Sequence, residues 1–199
     1  MKYLIIIAVL LSSAVISSCS KEQTQNPAPA EERKSDIQIV REKIQKNPKD
    51  VDSLFYLSEL YERAKLYQEQ YDTLKQVVAL QPARGYAYFN MGTALNRLGR
   101  YEQAVQSFRK AAKYVPKQPM VYNNMAYAYG KLGKTNDEIG AFKKALALRP
   151  SYSIARFNLG MAYLKKGDIA AAQKEYQTLN NSDEGLAADL KKELDAARN

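Results

Sequence analysis

The 199-residue chain contains no histidine, no tryptophan and a single cysteine. Without His there is no imidazole general base, no Ser-His-Asp triad and no His metal ligand. One Cys excludes an internal disulfide and a thiolate metal cluster. Nine Gly and seven Pro are too few for a collagen-like or low-complexity chain. No P-loop, G-x-S-x-G, S-x-x-K set or zinc motif is present. Carboxylates, Lys, Tyr and hydroxyls remain, so the chain is expected to be non-enzymatic, with no cofactor and no metal site. What the chain does have is 46% hydrophobic residues, 15 Tyr and a net charge of +9. That apolar content excludes wholesale disorder.

The N-terminus reads as an export signal. Lys2 precedes the apolar run Tyr3 to Leu11, and Ser12 to Ser18 returns to small residues. The run is too short to span a bilayer, which needs about 20 apolar residues. It fits a signal-peptide core followed by a small-residue cleavage site. Ile16-Ser17-Ser18-Cys19 resembles a bacterial lipobox. That resemblance implies a diacylglyceryl thioether on Cys19 and removal of residues 1–18. The alternative is an ordinary secretory signal with a stray Cys, but Cys19 is the only Cys and stands where lipidation requires one. Ser20 is not the Asp linked to inner-membrane retention in enteric bacteria. In a host with two membranes, the expected location is the periplasmic side of the outer membrane. Residues 19–34, with Pro27 and Pro29 among charges, are expected to be the lipidated Cys and a flexible linker. Fully stretched, the fifteen residues 20–34 reach roughly 50 Å.

The remaining chain repeats every 34 residues. Pro48, Pro82, Pro116 and Pro150 keep that spacing, as do Leu74, Phe108, Phe142 and Tyr176. So do Tyr61, Leu95, Tyr129 and Tyr163, and Leu57, Met91, Met125 and Leu159. Each period holds two amphipathic stretches of about a dozen residues. In 85–118 the first stops at Leu98-Gly99, the second starts at Tyr101-Glu102, and Pro116 prevents its continuation.

These series resemble the tetratricopeptide repeat family. The resemblance implies an all-α fold, a right-handed superhelix of helix-turn-helix repeats: an α-solenoid. Its repeats are placed at 51–84, 85–118, 119–152 and 153–186, the last with a degenerate end. Residues 35–50 form an N-terminal half repeat, and 187–199 a capping helix in which Leu190 and Leu194 extend the spacing begun by Leu186. The family's small residue in the first helix is Ser58, Gly92, Ala126 and Gly160. In the second helix Ala104 and Ala172 comply, whereas Gln70 and Glu138 do not. Either those two pairs are splayed or the long side chains reach water.

The resemblance also implies a concave groove lined by the first helix of each pair. Its columns read Tyr56, Asn90, Asn124, Asn158 and Phe55, Phe89, Asn123, Phe157, with Tyr127 in a third. Arg97, Lys131 and Lys165 stand near the helix ends. An Asn amide carries both a donor and an acceptor, so a ladder of them suits an extended peptide backbone of any sequence. Such groove residues are expected to stay clear of inter-helix packing. The cations either bind acidic peptide or stabilise helix C-termini through the dipole. Arg97 to Arg149 carries eleven Lys and Arg against three Asp and Glu, much of it on second helices. For that outer face, anionic headgroups or an acidic envelope polymer fit better than nucleic acid, because of the export signal; a solvated exterior is the plain alternative.

The resulting expectation is a membrane-anchored interaction scaffold of the bacterial cell envelope that holds a peptide segment of an unidentified envelope protein. A pilotin-like assembly factor for an outer-membrane secretin and a regulator of peptidoglycan enzymes are alternatives that share this architecture.

Overall fold

The computed structural model describes residues 30–198. Cys19, the signal segment and the linker up to residue 29 lie outside the described residues. Ten α-helices and no strands occur among those described: α1 Ala30–Lys46, α2 Val51–Arg63, α3 Tyr67–Leu80, α4 Gly85–Arg97, α5 Tyr101–Tyr114, α6 Pro119–Lys131, α7 Thr135–Leu148, α8 Ser153–Lys166, α9 Ile169–Asn180 and α10 Glu184–Ala196. Each helix packs on its neighbours in the chain, α10 packs on α8 as well as α9, and α4 touches α6. Contacts therefore stay local in sequence, as in a solenoid.

Helix α5 illustrates why the elements form. Ala104, Val105, Phe108 and Ala111 fall on one buried stripe, while Arg109 and Lys110 face out. Phe108 is wholly buried and rests against α4 where Gly92 lacks a side chain. A Cβ at Gly92 would stand 2.6 Å from the Phe108 ring, so the close approach of α4 and α5 requires glycine. Three turns between paired helices use a left-handed residue at one register: Gly99 at φ 73°, Gly133 at 71° and Gly167 at 81°. In the first repeat the same register is Lys65, at φ 59°.

Three helix starts, those of α2, α9 and α10, are fixed by Asp side chains. Asp50 caps α2 by accepting from the Ser53 backbone N–H at 3.1 Å and from its hydroxyl at 2.7 Å. Those two bonds, with Lys43 at 3.2 Å, lower the Asp50 pKa to about 2. Asp168 caps α9 and Asp183 caps α10 in the same manner.

Two boundaries differ from the expectation. Helix α1 starts at Ala30 rather than Ser35, because Glu31, Glu32, Arg33 and Lys34 are good helix formers. Helix α10 starts at Glu184, ahead of residue 187, because Asp183 supplies its cap. Leu190 and Leu194 of α10 are buried, and Leu190 fills the space left by Gly160 on α8.

Gln70 corrects a further expectation. It does not reach water: it is 0% exposed, and neither its amide nitrogen nor its amide oxygen has a partner. Glu138, at the equivalent position of α7, is held inside by Lys165, whose ammonium lies 3.4 Å from its carboxylate. Space for that carboxylate comes from Gly130, where a Cβ would collide with it.

Candidate groove on the first helices

Helices α2, α4, α6 and α8 are the first members of their pairs, and equivalent residues on them recur along the solenoid. Between α4, α6 and α8 lies a recess of about 250 Å³ lined by Thr93, Asn96, Arg97, Asn123, Asn124, Tyr127 and Asn158. A second, of about 240 Å³, continues from Tyr127 and Asn158 past Lys131, Phe142 and Met161. The two share residues, so they form one path across consecutive repeats.

Four asparagines meet in the first recess, and their bonding is uneven. Asn96 Nδ2 donates to the Asn124 carbonyl at 3.1 Å, and Asn123 Nδ2 donates to Asn124 Oδ1 at 3.1 Å. The amide oxygens of Asn96 and Asn123 are buried and have no partner. A buried unpaired acceptor is costly, and with almost no exposed surface neither oxygen is open to a donor from the groove. Asn90 and Asn158 make no side-chain hydrogen bond among the described residues. A peptide backbone presents donor and acceptor alternately, the pairing that a free, partly exposed Asn amide offers.

Not every sequence-predicted groove residue is free. Asn123 is buried at 9% exposure, Phe89 packs against Phe108 with ring centroids 6.1 Å apart, and Phe55 and Phe157 are half-buried against the core. The expectation that groove residues stay out of inter-helix packing is therefore corrected for this column. A first helix is narrow, and residues one step from the exposed stripe turn into the joint with the next helix. Phe55 is also covered by the Arg84 guanidinium, 4.4 Å from its ring centre. Tyr56 and Tyr127 are exposed.

The cation column separates into three situations. Arg97 is exposed and lines the recess. Lys131 lies over the Tyr127 ring at 5.4 Å, which fixes the ammonium without neutralising it. Lys165 is engaged, donating to the Gly130 carbonyl at 3.0 Å and pairing with Glu138.

Sequence reasoning missed Asn96, which has no Asn at equivalent positions to flag it. It also missed Tyr86, Met120 and Ile154, exposed by 49%, 38% and 55%. Their 34-residue spacing was the available signal. On the outer face, Lys110 lies over Tyr88 at 5.4 Å and Lys143 over Tyr163 at 5.6 Å, and Arg109 donates to the Tyr129 hydroxyl at 3.0 Å. Three buried tyrosines, Tyr88, Tyr129 and Tyr163, thus lie beneath second-helix cations.

An all-α solenoid of paired helices that repeats every 34 residues is the architecture of tetratricopeptide repeats. The chain is a tetratricopeptide repeat protein: TPR repeat profiles match residues 92–133, 121–152 and 141–174. Among solved structures it is similar to residues 41 to the end of MamA from Desulfovibrio magneticus RS-1, with a TM-score of 0.73 at 18% identity, covering 77% of this chain and 86% of that one. YrrB, described as a TPR protein with an unusual peptide-binding site, gives 0.70 at 17% identity, covering 81% and 82%. A thermophilic TPR protein of Thermus thermophilus gives 0.62 at 21%, covering 83% and 90%. At these identities the likeness is one of fold. No curated protein matches the chain. Among the described residues no helix is long and apolar enough to cross a membrane.

Proposed function

We propose that this protein is a non-enzymatic interaction scaffold that holds a peptide segment of a partner protein in its groove, tethered to the bacterial envelope membrane through a lipid on Cys19. The observation that supports the groove reading is the amide-lined recess between α4, α6 and α8, where the Asn158 side chain makes no hydrogen bond among the described residues, with Asn90, outside that recess, likewise unbonded at the equivalent position of α4. The described peptide-binding site of YrrB, a protein of the same fold, supports it by analogy. The lipobox-like Ile16-Ser17-Ser18-Cys19 carries the membrane reading. Tethering raises the effective concentration of the groove towards other envelope components.

Crosslinking in intact cells, followed by mass spectrometry, identifies the partner. An Asn90→Ala, Asn124→Ala, Asn158→Ala variant should then bind it at least about tenfold more weakly, since each lost hydrogen bond is worth roughly 0.5–1.5 kcal/mol and about 1.4 kcal/mol is tenfold. Asn124 also accepts from Asn123, so thermal unfolding is measured alongside, and the Asn90→Ala, Asn158→Ala pair serves as the variant without that structural cost. Unchanged affinity in both variants would move the binding site out of the groove. Separately, Cys19→Ser protein should be exported yet leave the membrane fraction. If it still fractionates with membranes in high salt, the lipid anchor is wrong.

A further inference from the structure

Residues at i, i+4, i+7 and i+11 share one face of a helix. On α4 they are Tyr86, Asn90, Thr93 and Arg97. On α6 they are Met120, Asn124, Tyr127 and Lys131, and on α8 Ile154, Asn158, Met161 and Lys165. Laid side by side, the three helices carry parallel lanes: large apolar side chains towards the N-terminal ends, amides in the middle, cations at the C-terminal ends. A single exposed apolar side chain needs no explanation. Three at one register on consecutive first helices, each a helical turn from an Asn, form a stripe. The stripe stops at α2, where the same positions are Asp52, Tyr56, Glu59 and Arg63, and Asp52 is already bonded to Arg84 at 2.8 Å.

We infer that the groove selects an acidic amphipathic peptide, laid across α4, α6 and α8 with its apolar side chains on Tyr86, Met120 and Ile154 and its carboxylates on Arg97 and Lys131. The inference rests on the peptide-groove reading above and adds the chemistry of the ligand. Charge complementarity decides its sign. These three helix faces carry no carboxylate, and the nearby Glu138 is taken by Lys165. Arg97 and Lys131 make no ion pair among the described residues; Glu62 of α2 lies near enough to feel the Arg97 charge without bonding to it. The partly exposed amides of Asn90 and Asn158 make no hydrogen bond among the described residues and offer donor and acceptor to a peptide backbone whatever its side chains. Spacing refines the choice. At about 1.5 Å rise per residue, a backbone over the Asn lane lies roughly 6 Å from the apolar lane and roughly 10 Å from the cation lane. Glutamate, one methylene longer than aspartate, spans the longer gap more readily, with help from the long Arg and Lys side chains.

The test is a random dodecapeptide library selected on the purified protein, with the enriched peptides remeasured by fluorescence anisotropy at low and high salt. The expected peptides combine aliphatic or aromatic residues with Glu and carry net negative charge. Their binding should weaken on the order of tenfold in Met120→Ser, Ile154→Ser, and again in Arg97→Glu, Lys131→Glu, with salt sensitivity lost only in the latter. All four sites are exposed, so circular dichroism should be unchanged. Enriched peptides of net positive charge, or binding indifferent to both pairs of substitutions, would overturn the inference. If such peptides are nevertheless weakened by Asn90→Ala, Asn158→Ala, the groove reading stands without it. If neither the lanes nor the asparagines affect the enriched peptides, or none is enriched, both readings fall.

Discussion

Gln70 is the residue at which local chemistry and fold disagree most. Its register in α3 is held by Ala104 in α5 and Ala172 in α9, both wholly buried. A glutamine there brings two amide atoms into the same closed joint and leaves both unpaired. Nothing in the structure explains its presence. An orphaned buried polar atom costs about 1–3 kcal/mol. Methionine has nearly the same length and helix propensity without those atoms. Gln70→Met should therefore raise the urea midpoint by an amount equivalent to about 1–3 kcal/mol, with an unchanged slope. A midpoint that stays put or falls would mean that the amide is satisfied after all. The departure from the small-residue pattern was legible in the sequence. Its outcome was not, because a buried and a water-reaching glutamine obey the same pattern and differ only in rotamer. Glu138 shows the contrast: its charge found Lys165 across the next helix, a contact that depends on Gly130 having no side chain.

At the scale of the element, helices and their stops were the most legible part of the chain. Apolar spacing, Pro116 and Leu98-Gly99 place the ends of α4 and α5 where they occur. The groove was legible as far as its Asn ladder and cation column, since those residues recur at the repeat spacing. The bonding state of each was not, because Lys165 and Arg97 look alike in sequence and only the path of the neighbouring helix separates them. The turns offer a test of the same logic. Gly99, Gly133 and Gly167 adopt positive φ at no steric cost, whereas Lys65 does so against roughly 1–2 kcal/mol. Glycine would remove that strain but loosen the unfolded chain, which takes back roughly 0.5–1 kcal/mol. The first term is the larger, so Lys65→Gly should stabilise the protein by about 0.5–1 kcal/mol, seen as a small rise in Tm. The reciprocal Gly99→Ala should lower it. A fall in Tm for Lys65→Gly would show that the lysine side chain contributes more to α2 and α3 than its exposure suggests.

Across the whole molecule, stability is shared between neighbours rather than held at one centre. The main core runs from Leu54 in α2 to Leu194 in α10 without a break, and Phe108 lies within it. A second, small cluster stands apart: Val40 of α1 with Leu57, Leu60 and Tyr61 of α2, flanked by Ile37 and Ile44. Among the described side chains of α1, Val40 alone is buried, so that helix is attached by little apolar area. In a solenoid, an end unit bound through one interface opens independently of the rest. Amide hydrogens of 37–46 should accordingly exchange with lower protection than those of α5 and α6. Val40→Ala removes two buried methyl groups, roughly 1–2 kcal/mol at about 0.8 each. It should lower protection in α1 alone and leave the main unfolding transition in place. Phe108→Ala empties a ring from the continuous core and should cost about 3–5 kcal/mol, shifting the global transition and the protection of α4 through α6 together. Equal protection of α1 and α5, or a global shift from Val40→Ala as large as that from Phe108→Ala, would mean that the half repeat folds as one cooperative unit with the four pairs. Ile44, which touches both clusters, would then be the residue that couples them.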